Sequence, residues 1–449
     1  MKRKIAILLA ASLLLATGCG NQPAEPSDTS GAPAETQGSN AQSADTSAAD
    51  TDAPETNAPE SSEAPAENPP ATETPIVAPE GMDEEAQRQF MIENSLMTMG
   101  DTSRMVNVMK KAANGEEITI GYIGGSITEG LTAGADLCWA KLTYDALCEM
   151  FPGTKINYVN AGLSGTPSIL GVVRAERDLF GDKQPDIVFI EFAVNDGGEQ
   201  MNKNCYESLV KKSLDKENDP AVVLLFTVLK NRYSCQSWMK TVGEHYDLPM
   251  ISVGNVINPM FDAGYMEWEK YSDDESHPNV WGHELVKDFI MNYFNQVKAI
   301  AEESDTAPQN PAIPTSALYS TDYANMEYLG RDELNVQSME GFSERDNVAT
   351  SFNGWTYRGK NGASLTFTAE FKTLFLVFYC NNTPSLADAE VVIDGESVIT
   401  LPSNKSGGWG NPEADLAWSG EGGEHTVEIK IAPSESGGLY SFAGVGVVK

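Results

Sequence analysis

Basic residues are scarce in this chain: 30 Lys and Arg stand against 65 Asp and Glu in 449 residues, a formal net charge of -35. No basic patch occurs along it. A surface of that sign repels phosphate backbones and anionic headgroups, which excludes nucleic acid as a partner and leaves membrane association to a covalent anchor or an apolar segment. Histidine is scarcer still. Only His245, His277, His283 and His425 are present, so chemistry that needs an imidazole has four candidates. The cysteines form no CxxC pair and lie near no His cluster, which argues against a zinc site, and no cofactor or other metal is expected. Beyond Cys19 they number five (138, 148, 205, 235 and 380), an odd count that reads as buried free thiols. From Gly20 to about Glu80 large apolar residues are almost absent, and Lys and Arg are wholly absent. Such a segment cannot bury enough surface to offset its ordering entropy, so residues 19–84 are predicted to be a disordered acidic tether.

Long hydrophobic runs are limited to one, at the N-terminus. Lys2-Arg3-Lys4 precedes the apolar stretch Ile5–Ala16, which is short for a membrane span, and Ala16-Thr17-Gly18 places small residues before Cys19. The stretch resembles the lipobox of bacterial lipoproteins. That resemblance implies removal of residues 1–18, lipid attachment to Cys19, and a protein on the extracellular face of the membrane, held there by its lipid alone. An ordinary secretory signal is the alternative.

Beyond the tether the pattern becomes regular. Helical spacing of Phe90, Met91, Leu96, Met99, Met105, Val106 and Met109 is followed by apolar runs at Ile118–Ile123, Ile156–Val159, Ile187–Phe192, Val222–Val228 and Met250–Val253. Helical stretches alternate with them: Trp139–Met150, Gly171–Phe180, Tyr206–Asp215, Ser237–Tyr246 and a closing Gly282–Ala301. This alternation predicts a doubly wound α/β domain over 85–302 with a flavodoxin-like sheet of five parallel strands, whose ligands bind beyond the strands' carboxyl ends. Residues 303–316, with Pro311 and Pro314, read as a linker. Over 317–449 short β-rich runs separated by Gly, Asn, Ser and Pro predict a C-terminal β-sandwich.

Four loops at predicted strand ends carry candidate chemistry. The first strand runs into Gly124-Gly125-Ser126-Ile127-Thr128, a turn that leaves a hydroxyl at the strand's end; by itself this is also an ordinary strand-to-helix turn. The second leads to Asn160-Ala161-Gly162-Leu163-Ser164-Gly165-Thr166, where a glycine N–H can face a reacting oxygen. The third leads to Phe192-Ala193-Val194-Asn195-Asp196, which offers a side-chain amide. Donors fixed before charge develops are what an acyl-transfer oxyanion requires. The last is Asp274-Glu275-Ser276-His277-Pro278-Asn279. A serine hydroxyl needs an adjacent base, and a carboxylate three residues before His277 can reach its other ring nitrogen. His283 falls in the closing helix as a packing or solvent residue.

In this order and at these strand ends, the four blocks resemble the SGNH (GDSL-type) hydrolases, over about residues 95–300. Ser126 stands in GGSIT rather than the commoner GDSL, Gly165 (or Gly162) matches the glycine block, Asn195 the asparagine block, and Asp274 with His277 the DxxHP block. Ala193 departs from the family's usual glycine but removes no functional group. The resemblance implies a serine esterase with Ser126 as nucleophile, His277 as base, Asp274 behind it, and an oxyanion hole of the Ser126 and Gly165 N–H groups and the Asn195 amide. Family members act on lipids, thioesters and acetylated sugars. An extracellular location, a resemblance to bacterial carbohydrate esterases that pair this domain with a sandwich, and Trp355, Trp409 and Trp418 in the second domain favour O-acetyl groups on a polysaccharide as the substrate. A lipid or short-chain ester hydrolase is the alternative within enzymes, and a non-catalytic glycan-binding surface protein the alternative outside them. Trp139 reads as a core or cleft-wall residue that could contact substrate. Arg174 and Arg177 would either meet an acidic sugar or, as is commoner, pair with Glu176 and Asp178 along the helix. The oligomeric state has no sequence signal.

Overall fold

The computed structural model describes residues 75–405 and 408–449. The predicted signal segment 1–18, the predicted lipid site Cys19 and residues 19–74 of the predicted tether lie outside the described residues. Residues 75–84, grouped with the tether by composition, contribute Ile76, Ala78 and Met82 to the hydrophobic core.

Six strands form the first sheet: β1 (Leu96–Thr98), β2 (Ile118–Gly124), β3 (Ile156–Gly162), β4 (Ile187–Glu191), β5 (Ala221–Phe226) and β6 (Met250–Ser252). They lie in the order β1-β6-β5-β4-β2-β3, with β2 to β6 parallel as predicted and β1 an antiparallel edge. The helices are α1 (Glu84–Asn94), α2 (Ser103–Ala113), α3 (Ser126–Glu129), α4 (Trp139–Met150), α5 (Ser168–Ala175), α6 (Gln200–Leu214), α7 (Gln236–His245), α8 (Gly254–Asp262), α9 (Trp268–Tyr271) and α10 (Val280–Glu302). The helical spacing over 85–113 is interrupted by β1, because Leu96 and Thr98 satisfy the open edge of β6 by pairing with Ile251 and Met250.

Side-chain alternation along the buried strands decides which layer each residue enters. Ile187 and Phe189 of β4 face a core shared with α2, α4 and α10. Val188 and Ile190 face the opposite layer, where α5, α6 and α7 cover the sheet. That second core does not stop at the helices. It continues through Leu170 and Val173 to Phe352, Phe375, Val377, Ala443 and Val448 of the C-terminal region, so one apolar cluster joins the two halves.

The C-terminal region is an antiparallel, sandwich-like arrangement of β7 (Glu327–Leu329), β8 (Asn335–Glu340), β9 (Phe342–Ala349), β10 (Phe352–Gly359), β11 (Ala363–Asn381), β12 (Asp388–Ile393), β13 (Glu396–Pro402), β14 (Trp409–Ile431) and β15 (Gly438–Val448). The main path is β13-β12-β14-β11-β15-β10-β9, with β7 on β15 and β8 on β11. The runs Ser364–Ala369 and Leu374–Tyr379 are one strand, β11, paired along its length with β14 through shifts near Phe371–Phe375. Such irregularities bend a strand and let it continue from one layer into the next. Strands β8 and β9 carry mostly exposed polar residues and give no apolar alternation to read. A third core, including Trp355, Phe367, Phe378, Val427 and Tyr440, fills the interior of this region.

Candidate active site

The Ser126 turn follows β2 directly, and α3 begins at Ser126. Its two glycines are required by crowding. A Cβ at Gly125 would lie 2.1 Å from Asn195 Oδ1, and one at Gly124 would lie 2.2 Å from Thr128 Oγ1. Any side chain at 125 would therefore push the Asn195 amide away from Ser126. Buried charge holds the same turn from both sides. Gly124 O accepts hydrogen bonds from Leu163 N (3.0 Å) and from Arg174 Nη2 (3.1 Å). Glu191, at the end of β4, accepts from Thr128 Oγ1 (2.9 Å) and Thr227 Oγ1 (2.6 Å). Burial pushes the Glu191 carboxyl above its ordinary value, while bonds from Thr227, Thr128 and the Gly125 backbone oppose the shift.

His277 approaches from the loop between α9 and α10. Its Nε2 lies 2.9 Å from Ser126 Oγ, and its Nδ1 lies 2.7 Å from Asp274 Oδ2. The structure thus brings Ser126, His277 and Asp274 into one hydrogen-bonded line across 151 residues of sequence. The other oxygen, Asp274 Oδ1, accepts from Ser276 N (2.7 Å) and His277 N (2.6 Å), so this carboxylate organises the turn as well as the ring. Burial acts to raise the Asp274 carboxyl, but the hydrogen bonds from the His277 ring, His277 N and Ser276 N together hold it below the usual carboxylate range. Trp268 Nε1 donates to Asp274 O (2.5 Å), and Thr132 Oγ1 donates to Pro278 O (2.8 Å). Asn279 then caps α10 by accepting from Gly282 N (3.1 Å).

The loops that carry the expected oxyanion donors pack against the Ser126 turn: Leu163 N and Ser164 N bond to Gly124 O and Glu129 Oε2, and the Asn195 amide lies against Gly125. Gly162 N is committed to Asn160 Oδ1 (2.9 Å), which removes Gly162 from the choice. Gly165 has φ +70°, a left-handed conformation that suits glycine, and among the described residues its N–H meets no acceptor. The Asn195 amide packs against Gly125 beside the nucleophile, its Oδ1 buried without a partner. Asp196 Oδ1 accepts from Ser168 N at the start of α5 (2.7 Å), tying the asparagine loop to the glycine loop. Burial raises the Asp196 carboxyl to about 7 against hydrogen bonds from Ser168 and Asn202.

Two predicted substrate contacts are corrected. Trp139 is 0% exposed and packs edge-on against Tyr122 and Phe189, beneath the sheet. Its backbone N–H donates to His283 Nδ1 (3.1 Å), and burial, with the charge of His277, lowers His283 to about 4. Arg174 is 1% exposed: Nη1 donates to Ala161 O (2.7 Å) and to Asp178 (3.2 Å), and Nη2 donates to Gly124 O. It braces the ends of β2 and β3 from behind and cannot meet a sugar. Among the tryptophans of the second domain, Trp355 is core, stacked on Phe442, and Trp418 packs against Phe371 and His425. Trp409 alone of the three stands out, at 82% exposed.

Several residues that build the site carry little sequence signal. Glu191 has one, a carboxylate inside an otherwise apolar run. Trp268, Thr227 and Asn411, which donates to Gly165 O (3.0 Å), have none, because each is defined by a contact and by no motif.

Comparison with known proteins agrees with this geometry. Residues 122–285 match the GDSL-like lipase/acylhydrolase family. The chain is similar to a two-domain esterase active on acetylated mannans, with 31% identity, a TM-score of 0.71, and coverage of 80% of this chain and 99% of that one. It is equally similar to a two-domain esterase active on acetylated mannans that was co-crystallized with mannopentaose, with 31% identity, a TM-score of 0.70, and coverage of 80% of this chain and 98% of that one. No curated protein sequence matches significantly. Because the similarity spans nearly all of a two-domain relative, and the matched family region runs from before Ser126 to beyond His277, the chain belongs to the GDSL-like lipase/acylhydrolase family and is an esterase.

Proposed function

We propose that the protein removes O-acetyl groups from a mannan-type polysaccharide outside the cytoplasm, anchored through Cys19, by a Ser126–His277–Asp274 mechanism. The observation that carries the chemistry is the 2.9 Å approach of His277 Nε2 to Ser126 Oγ with Asp274 at 2.7 Å behind the ring. Asp274 accepts the Nδ1–H, which leaves the Nε2 lone pair facing the serine hydroxyl. Ser126 Oγ attacks the acetyl carbonyl carbon and its proton passes to Nε2. The oxyanion takes hydrogen bonds from Ser126 N–H, Gly165 N–H and the Asn195 amide. Collapse breaks the bond to the sugar oxygen, which leaves with the proton from His277. A water molecule, deprotonated by His277, then attacks the acetyl-serine and acetate is released with Ser126 restored.

The substrate reading is supported by the activity of the similar two-domain esterase on acetylated mannans and by Trp409. This exposed ring belongs to a residue two positions from Asn411, whose side chain bonds to Gly165 O, which puts its chain position close to the Gly165 loop. The N-terminal basic residues, apolar run and small residues before Cys19 support the location.

Acetate release from acetylated mannan, xylan, pectin and peptidoglycan tests the reading. Mannan is expected to be the best substrate, and Ser126→Ala is expected to lower the rate by at least about a thousandfold without loss of fold. Full activity of Ser126→Ala removes the mechanism. A preference for long-chain acyl esters over all four glycans removes the substrate.

A further inference from the structure

The glycine loop of the catalytic domain is completed by a residue 246 positions away. Leu163 N is bonded to Gly124 O, and Ser164 N to Glu129 Oε2 (2.7 Å), so the peptides entering Gly165 are anchored to the nucleophile turn. On the leaving side, Gly165 O accepts from Asn411 Nδ2 (3.0 Å), at the start of β14 in the C-terminal sheet. Between these anchors lies the Ser164–Gly165 peptide, which carries the Gly165 N–H. Among the described residues that peptide makes no hydrogen bond of its own, and of the two torsions that orient it, Ser164 ψ and Gly165 φ, the second is softened by glycine. Its direction is therefore set by its neighbours.

Asn411 is built for the task. It is buried, its Oδ1 accepts from Trp409 N (3.0 Å), and its Cβ and amide lie 3.7–3.9 Å from where a Gly165 Cβ would stand. Both ends of its amide are used: Oδ1 serves its own strand, and Nδ2 donates to Gly165 O of the opposite domain, with a longer bond to Pro412 O (3.4 Å). The second core, which runs unbroken from Leu163 through Val173 to Phe375 and Val448, keeps that strand in place.

We propose that Asn411 is a positioning residue for the esterase reaction: the C-terminal domain, through Asn411 Nδ2, orients the Gly165 peptide so that its N–H faces the developing oxyanion. The proposal rests on Gly165 being an oxyanion donor in the mechanism above. It makes the second domain part of the acyl-transfer apparatus for every ester, including esters too small to touch Trp409.

The test uses the full chain and p-nitrophenyl acetate. Asn411→Asp keeps shape and the acceptor for Trp409 N–H but removes the donor to Gly165 O. It is expected to lower kcat by about tenfold, since a displaced oxyanion donor acts on the transition state, with KM changed less than about twofold. The rate of inactivation by a p-nitrophenyl phosphonate, which forms the same tetrahedral centre on Ser126, is expected to fall in parallel. Ser441→Ala, which breaks the buried Thr356–Ser441 pair of the same sheet, serves as the control for general loosening. A kcat for Asn411→Asp within about fivefold of the parent overturns the proposal, as does an equal loss in Ser441→Ala. If Asn411→Asp does not fold, Asn411→Ser is read by the same criteria. Retained activity in Ser126→Ala would instead overturn the mechanism, so the two failures are distinguishable.

Discussion

The loop that presents His277 and the turn that presents Ser126 are held by opposite means. The His277 loop is organised mainly by its own residues, with Thr132 Oγ1 on Pro278 O and Lys230 N on Glu275 O (3.0 Å) as its outside ties. Asp274 gathers Ser276 N, His277 N and the imidazole within four positions, and Ser272 Oγ lies 2.9 Å from Asp274 O and 2.5 Å from His277 O. It is open to solvent, with the Asp274 side chain 46% exposed. The Ser126 turn is buried and is held from afar, by Arg174 on α5, Glu191 on β4, Thr227 after β5 and Asn160 on β3, whose Nδ2 donates to Thr128 O (2.8 Å). In the proposed mechanism the nucleophile, which must stay put, is thus fixed by several elements at once, and the base, which must gain and lose a proton, sits on a locally ordered loop near water. Buried charges beneath a serine are costly to place, and their hydrogen bonds to one short turn return that cost as rigidity.

Three substitutions sharpen the contrast. The largest effect is expected on the exposed side: Asp274→Asn keeps the loop's shape but lets the wrong tautomer of His277 form, and kcat is expected to fall by about a thousandfold or more while thermal stability changes little. A loss below about tenfold would mean that the local turn alone orients the ring. Next, Asn195→Ala removes an amide packed against the nucleophile turn and is expected to raise the barrier by about 2.7–4 kcal/mol, measured as kcat on a small acetyl ester. An unchanged kcat would leave Gly165 and Ser126 as the only donors.

The smallest effect belongs to the buried scaffold and is read as stability. Asp196 titrates near 7 in the folded protein because burial disfavours its charge, whereas its unfolded value is near the ordinary carboxylate one. Between about pH 4 and 7 the folded state therefore holds the extra proton, and this group makes stability fall as pH rises, by at most about 1.4 kcal/mol per pH unit. Asp196→Asn keeps an acceptor for Ser168 N and cannot ionise. Denaturant midpoints measured across that window are expected to fall less steeply with pH in the variant than in the parent; parallel curves would show that Asp196 does not carry the proton.

The parts of this architecture that were legible beforehand are those written in local pattern. Apolar runs such as Ile187–Phe192 mark parallel strands because both faces are covered, and α4 runs from Trp139 to Met150 as its spacing predicts. The reading of Trp139 as a substrate contact went wrong, and of the two outcomes open to Arg174 the pairing with Asp178 is the one the fold keeps, for a shared reason. Position in the chain places a residue near an active face, but only packing tells whether its side chain points over the strand ends or under them. Strands β8 and β9 were illegible because their residues face water on most positions and are held by backbone pairing with β11 and β10.

By itself the sequence determined the alternation of strands and helices, the four loops at strand ends, and the Asp274–His277 spacing, since all of these depend on residues within a turn or two of one another. Tertiary structure alone decided that Ser126 and His277 meet, that Arg174 and Glu191 face inward, and that a strand from the far domain touches Gly165. Hydrogen bonds and close packing reach only a few ångströms, and which distant residues come within that range is settled by how the layers stack.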